Sequence, residues 1–331
     1  MRSKVSPLAA YIWSFSLLTF VLLWAISWGP QGWQLVSQVD DPLRRIILWD
    51  IRLPRVLVSA LCGGALAMAG VLSQGLFRNP LAGPSILGTV SGANLFVVTT
   101  MFLGWGYEHW LVQPFSAFIG AVLATSLVWR LSTWQSFQNP GRLLLLGFAI
   151  NSIFAATTTF LLSLSLHEFN LSQSILFWLM GSFNGKGWPH VLMALPWLLI
   201  GLWLSRPIAR RLNVLNLGED VAQSLNVPIS QLRWQTIAVI AGLVGASVAV
   251  AGGISFVGLM VPHFTRLYLG ADHRHLVKVS CINGMILVVA ADTISRTLMA
   301  PQELQVGAIL SLIGAPVFVG LMLKERGRHG F

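Results

Sequence analysis

Apolar residues fill most of this chain in long stretches without Asp, Glu, Lys or Arg. Such windows cover 5–39, 56–77, 79–107, 110–129, 143–166, 187–205, 234–265 and 304–323. About 20 apolar residues suffice to cross a bilayer as a helix. The pattern predicts ten spans, at 10–29, 54–76, 90–106, 113–130, 142–166, 189–205, 234–250, 254–268, 276–298 and 305–323. Window 234–265 is too long for one upright helix. "AGG" at 251–253 is its expected break, because glycine destabilises a helix and permits a sharp turn. The expected fold is therefore all-α: one polytopic membrane domain over 1–331, with a polar loop at 206–233. The first apolar stretch lacks a small-x-small cleavage site and reads as a retained span rather than a signal peptide.

Composition supports this. Only 10% of residues are charged and 55% are hydrophobic, whereas soluble domains are near one quarter charged. The net charge of +10 lies at window ends, with no basic tract interleaved with aromatics, so it does not point to nucleic acid. With both termini placed inside, inner segments hold fifteen of the 21 lysines and arginines. That bias sets the termini in the cytoplasm. The exception is "RRIILWDIRLPR", 44–55, which packs four arginines into an outer segment. A charge cluster against the orientation rule suggests docking of an acidic partner; contact with lipid headgroups is the alternative.

Three further features carry possible function. "LFRNPLAGPSILGTVSGAN", 76–94, interrupts apolar runs with prolines and glycines. Non-helical backbone there is tolerated only against protein or a water-filled route, so it reads as a stiff joint at the mouth of a path. Gly83 and Gly88 are expected to make its tight turns. In "LGEDVAQSLNV" a short helix has Leu217, Val221, Ala222 and Leu225 on one expected face and acids in its first turn, where the dipole favours them. Asn226 is its expected left-handed cap. It suits a partner groove or the headgroup layer. Asp292 lies four residues before Arg296, a spacing that allows a pair on one helix face. Asn151, Thr157–Thr159 and Asn283 either line a polar route or bond across helices.

Catalytic signals are missing. "GSFNGKG", 181–187, is one residue short of a phosphate-binding loop and lacks the Ser/Thr after the lysine. Cys62 and Cys281 sit in apolar windows, and His263, His273 and His275, read as inner-loop residues, lack metal-site spacing. No nucleophile or metal set is apparent, which disfavours a membrane enzyme. An ion-coupled carrier would need more intramembrane carboxylates than Asp292.

"IRLPR", "GALAMAGVLSQGLFRNPLAGPSILGTVSGAN", "LGEDVAQSLNV", "GGISFVGLMVPHFTRLYLGADHR", "ADTISRT" and "ELQVGAILSLIGAPVF" together resemble the FecCD-type permeases of iron-siderophore and vitamin B12 ABC importers. "FWLMGSFNGKGW" and "SRPIARRLNVLNLGE" look most like the vitamin B12 (cobalamin) branch; ferric-siderophore or heme import is the alternative. The resemblance implies a type II importer permease fold in the bacterial inner membrane. It implies a homodimer with two cytoplasmic ATPase subunits, which bind ATP–Mg, and a periplasmic binding protein. This chain itself would hold no cofactor or metal. It also implies roles for residues. Arg52, Arg55 and Arg296 resemble the outer arginines that receive the binding protein's acids. Leu217, Gly218, Glu219, Ala222 and Leu225 resemble the ATPase coupling helix. Asn79 and Leu81, with Pro140 and Gly141, occupy the inner-gate positions. Asn226 stands where the family's coupling helix ends in glycine, and Pro140–Gly141 stand where small hydroxyl residues are usual.

Overall fold

The computed structural model describes residues 5–29, 32–33, 42–107, 109–134 and 140–329. It is nearly all helical. α1 (Pro7–Ser27) leads to a two-strand ribbon pairing Trp28–Gly29 with Gly32–Trp33. α2 (Pro42–Ile46) runs through a wider π-helical stretch, Ile47–Arg52, into α3 (Leu53–Leu76). A 3₁₀ turn, Pro84–Leu87, precedes α4 (Thr89–Phe102), followed by α5 (Val112–Trp134) and α6 (Pro140–Leu164). Next come α7 (Phe169–Met180), α8 (Trp188–Leu215), the short α9 (Glu219–Ser224) and α10 (Ile229–Ala251). α11 (Val257–Leu269), α12 (His273–Thr297) and α13 (Val306–His329) complete the chain. Ten of these helices occupy the ten expected spans. Seven are long and apolar enough to cross a membrane by length and composition, and Thr89–Phe102 and Val306–Gly320 are shorter apolar helices.

α3 and α10 form the centre. In its most apolar window 89% of the Ile47–Leu76 positions are buried, against 22% for α1. Small residues make this possible by letting backbones meet. A Cβ on Gly63 would overlap the carbonyl of Gly284, and one on Gly284 would overlap that of Gly63. α3 and α12 thus cross backbone to backbone. Gly92 and Gly120 make the same crossing between α4 and α5.

Three boundaries differ from the sequence reading. α8 continues past Pro207 to Leu215, ten residues beyond the expected end of that span. Ile208, Ala209, Leu212 and Leu215 are buried, so the apolar stripe holds the helix through the proline. The polar loop therefore begins at Asn216 rather than 206. α7 was not expected: its 12 residues are too few to span, and the charge-free stretch that holds them, 169–185, is shorter than a full span. His263 lies in α11, and His273 and His275 in the first turn of α12, instead of a loop. The break at "AGG" is where expected: α10 ends at Ala251 and Gly252 has φ 72°.

Candidate functional site

At one end of the bundle three arginines gather: Arg52 at the end of the π-helical stretch, Arg55 on α3 and Arg296 on α12. Gly63 and Gly284 mark the crossing of these antiparallel helices. Arg55 lies eight residues before Gly63, and Asp292 eight after Gly284. Equal displacement from the crossing brings the two side by side. The Arg55 guanidinium donates from Nε to both Asp292 oxygens at 3.1 Å and from Nη2 to Oδ1 at 2.9 Å. Its Nη1 donates to Glu303 at 3.0 Å. Asp292 is 1% exposed, while the Glu303 side chain keeps 30% exposure. The expected Asp292–Arg296 pair is replaced by this bridge between helices. Arg296 instead donates to the Ala25 carbonyl of α1. Arg52 donates to the Ile26 carbonyl at 3.3 Å, and a Cβ on Gly29 would overlap its guanidinium. All three arginines are buried within the single chain.

Glu303 also borders a cavity of about 730 Å³. Trp178 of α7, Ser182, Lys186 and Gln305 face the same space. Burial lowers the pKa of the Lys186 ammonium. The sequence signal for Glu303 is an acid just before the tenth expected span.

At the opposite end, the 76–94 joint is tied at many points. Arg78 adopts a left-handed backbone, φ 50°. Asn79 Oδ1 accepts the Leu81 N–H at 2.9 Å, closing a side-chain turn over Pro80. Gly88 has φ 79°, but Gly83 is extended at φ −73° and needs no special freedom. Gln74 Nε2 donates to the Leu259 carbonyl of α11 at 3.1 Å. Asn151 of α6 donates to the Ser85 and Ile86 carbonyls and accepts from Ser91. Asn151 thus fastens the joint, whereas Thr157, Thr158 and Thr159 bond back to their own helix. Asn283 serves a separate link, to Ser14, Thr265 and Tyr268. Asn79 and Leu81 are half-buried. Pro140 and Gly141 open α6, and their side-chain surroundings lie outside the described residues.

α9 lies against this joint. Gly218 caps it at φ 126°, a conformation that suits glycine, and Asn226 turns left-handed at φ 55° as expected. The expected apolar face splits in two. Ala222 is buried against the bundle, while Leu217, Val221 and Leu225 are exposed at 69%, 40% and 59%. Glu219 Oε1 accepts from Arg233 of α10 at 2.8 Å and from Arg78 of the joint at 3.3 Å. One carboxylate therefore bridges the short helix, a central helix and the joint. Neither arginine partner was singled out in the sequence, because both pairings cross separate segments.

A family model described as the FecCD transport family matches residues 11–324. The chain belongs to the FecCD transport family. It is a multi-pass permease of the ABC importer kind, and its fold is the type II permease fold. FecCD relatives include the hemin transport system permease protein HmuU of Yersinia pestis. It is 38% identical over 93% of this chain and 89% of its own length. The vitamin B12 import system permease protein BtuC of Citrobacter koseri is 36% identical over 95% of this chain and 94% of its own. A solved metal-chelate type ABC transporter in an inward-facing conformation superposes with TM-score 0.86 at 31% identity. It covers 95% of this chain and 98% of that one.

Proposed function

We propose that this chain is the permease through which an ABC importer carries cobalamin from periplasm to cytoplasm. The observation that carries the mechanism is the Glu219 bridge to Arg78 and Arg233. Two ATPase subunits, each binding ATP–Mg, would grip exposed Leu217 and Leu225, which flank α9. Their closure would pull α9, and Glu219 would pass that movement to the joint carrying Asn79 and Leu81. Pro140 and Gly141 of a homodimer would complete the inner constriction. In this arrangement the chain holds no cofactor or metal, lies in the inner membrane, and keeps both termini in the cytoplasm.

At the other end, a binding protein would present carboxylates to Arg52, Arg55 and Arg296. Arg55 already has two internal acids, so a docking acid must exchange with one of them. Glu303 is the exchangeable partner, being more exposed and bordering the cavity; Asp292 is locked. Exchange would release Glu303 toward the space where cargo enters.

The wording of 177–188 and 205–219 supports cobalamin as cargo. Heme is the second reading, favoured by similar identity to HmuU and BtuC; ferric siderophores share the same architecture. Shared architecture does not fix cargo. The test is uptake into vesicles reconstituted with the partner proteins, offering labelled cobalamin, heme and ferric siderophore separately. Uptake of cobalamin alone is expected, and uptake of heme or siderophore without cobalamin overturns the cargo reading. Transport driven by a proton gradient without ATPase would instead favour an ion-coupled carrier.

A further inference from the structure

A groove of about 400 Å³ lies between α8 and α10. Two glycines close its floor by letting side chains of the facing helix seat on their backbone. A Cβ on Gly201 would come 2.6 Å from a Leu243 methyl, and one on Gly242 would come 2.9 Å from the Trp197 ring. The walls are apolar except at one end, where Gln235 lies beside exposed Trp234. There Arg211 Nη1 donates to Gln235 Oε1 at 3.3 Å. Arg210 and Arg211 stand one helical turn beyond Pro207 and Ile208, which line the groove. Arg210 is exposed. Among the described residues, neither arginine has a carboxylate within ion-pair distance, whereas Arg78, Arg233 and Arg274 each have one.

We infer that this groove binds an anionic phospholipid. One acyl chain lies along the groove past Ile200, Leu204 and Ala238, and the phosphate meets Arg210 and Arg211. The charge match selects the occupant: a zwitterionic headgroup offsets its own phosphate, while an anionic one leaves a net charge for the two guanidinium groups. Basic pockets between membrane helices favour anionic headgroups in this way, and two cations together give a preference of about thirtyfold.

The test is native mass spectrometry of the purified full chain, challenged with equal amounts of phosphatidylglycerol and phosphatidylcholine. Wild type should retain phosphatidylglycerol by about tenfold or more. The R210Q/R211Q variant should unfold at the wild-type temperature and show less than threefold preference. Ala238→Trp, placed at an exposed position on the groove wall, should lower retention of both lipids. Lys278→Gln, an exposed base on α12 away from the groove, should change nothing. Equal retention of the two lipids by wild type, no retention of either, or a preference surviving in R210Q/R211Q overturns the site. A loss in Lys278→Gln as large as in R210Q/R211Q also overturns it, because the effect would then be general surface charge.

Discussion

The two ends of the bundle handle their candidate contact residues in opposite ways. The Arg52–Arg55–Arg296 end hides its charges and satisfies Arg55 with two acids of the same chain. The α9 end leaves Leu217 and Leu225 largely bare and anchors them through one half-exposed carboxylate. A buried, paired cation attracts a partner only by exchanging its acid. An exposed apolar side chain gains from burial at once, at about 25 cal/mol per Å². The bare end is therefore suited to a standing partner and the covered end to a visiting one.

The sharpest way to break this contrast is at the covered end. Asp292→Ala removes the fully buried partner of Arg55 and leaves only the more exposed Glu303 to hold it, which should cost about 3 kcal/mol. Glu303→Ala, at a more exposed site, should cost under about 1 kcal/mol. Thermal unfolding in detergent compares the two, and equal losses would remove the distinction between locked and exchangeable acid. If the exchange holds, Glu303→Gln should tighten binding-protein affinity several-fold, read by titration against the reconstituted chain. The bare end gives the next largest effect. The double substitution Leu217→Glu, Leu225→Glu should leave stability unchanged and weaken ATPase-subunit association at least tenfold, measured by titration. Glu219→Gln should cost under about 1 kcal/mol, since its pairs are partly exposed. It should nevertheless leave ATP turnover running without proportional transport.

A separate effect, away from both ends' contact residues, concerns the α11–α12 turn. Asp272 caps α12 through the Arg274 N–H and accepts from Asn213 of α8. Hydrogen bonds from Arg274, then from Asn213, hold its carboxyl well below the usual range. That contribution is fully present above the unfolded pKa, near 4, and is lost only as pH falls through the lower folded value. Asp272→Ala should cost about 1 kcal/mol. The deficit should stay flat from about pH 8 to pH 5 and shrink only in stronger acid.

What the sequence exposed followed distance along the chain. The helices at the ten expected spans, the turn at Gly252 and the left-handed Asn226 are local, set by apolar run length and by glycine and asparagine chemistry. α7 escaped because twelve residues with scattered polar groups resemble a loop. The reach of α8 past Pro207 escaped because a proline was read as a stop where neighbouring packing overrides it. The site was half visible. Arg55 stood out in a charge cluster against the orientation rule, Arg296 by its spacing from Asp292, and Glu219 as an acid in the first turn of a short helix. Their partners lie across separate segments: Arg55 pairs over 237 residues of chain and Glu219 over 141. Spacing rules reach only one helix, so Asp292 was paired with the nearest cation in sequence instead of the one that the α3–α12 crossing delivers.

The crossing of α3 and α12 at Gly63 and Gly284 also limits how this molecule can change shape. With two main chains touching and no side chains between them to repack, that pair behaves as a keel. Sliding it would drive carbonyl oxygens into one another. Spin labels straddling it should therefore report one unchanging distance through a transport cycle, while labels between α6 and α13 register the strokes.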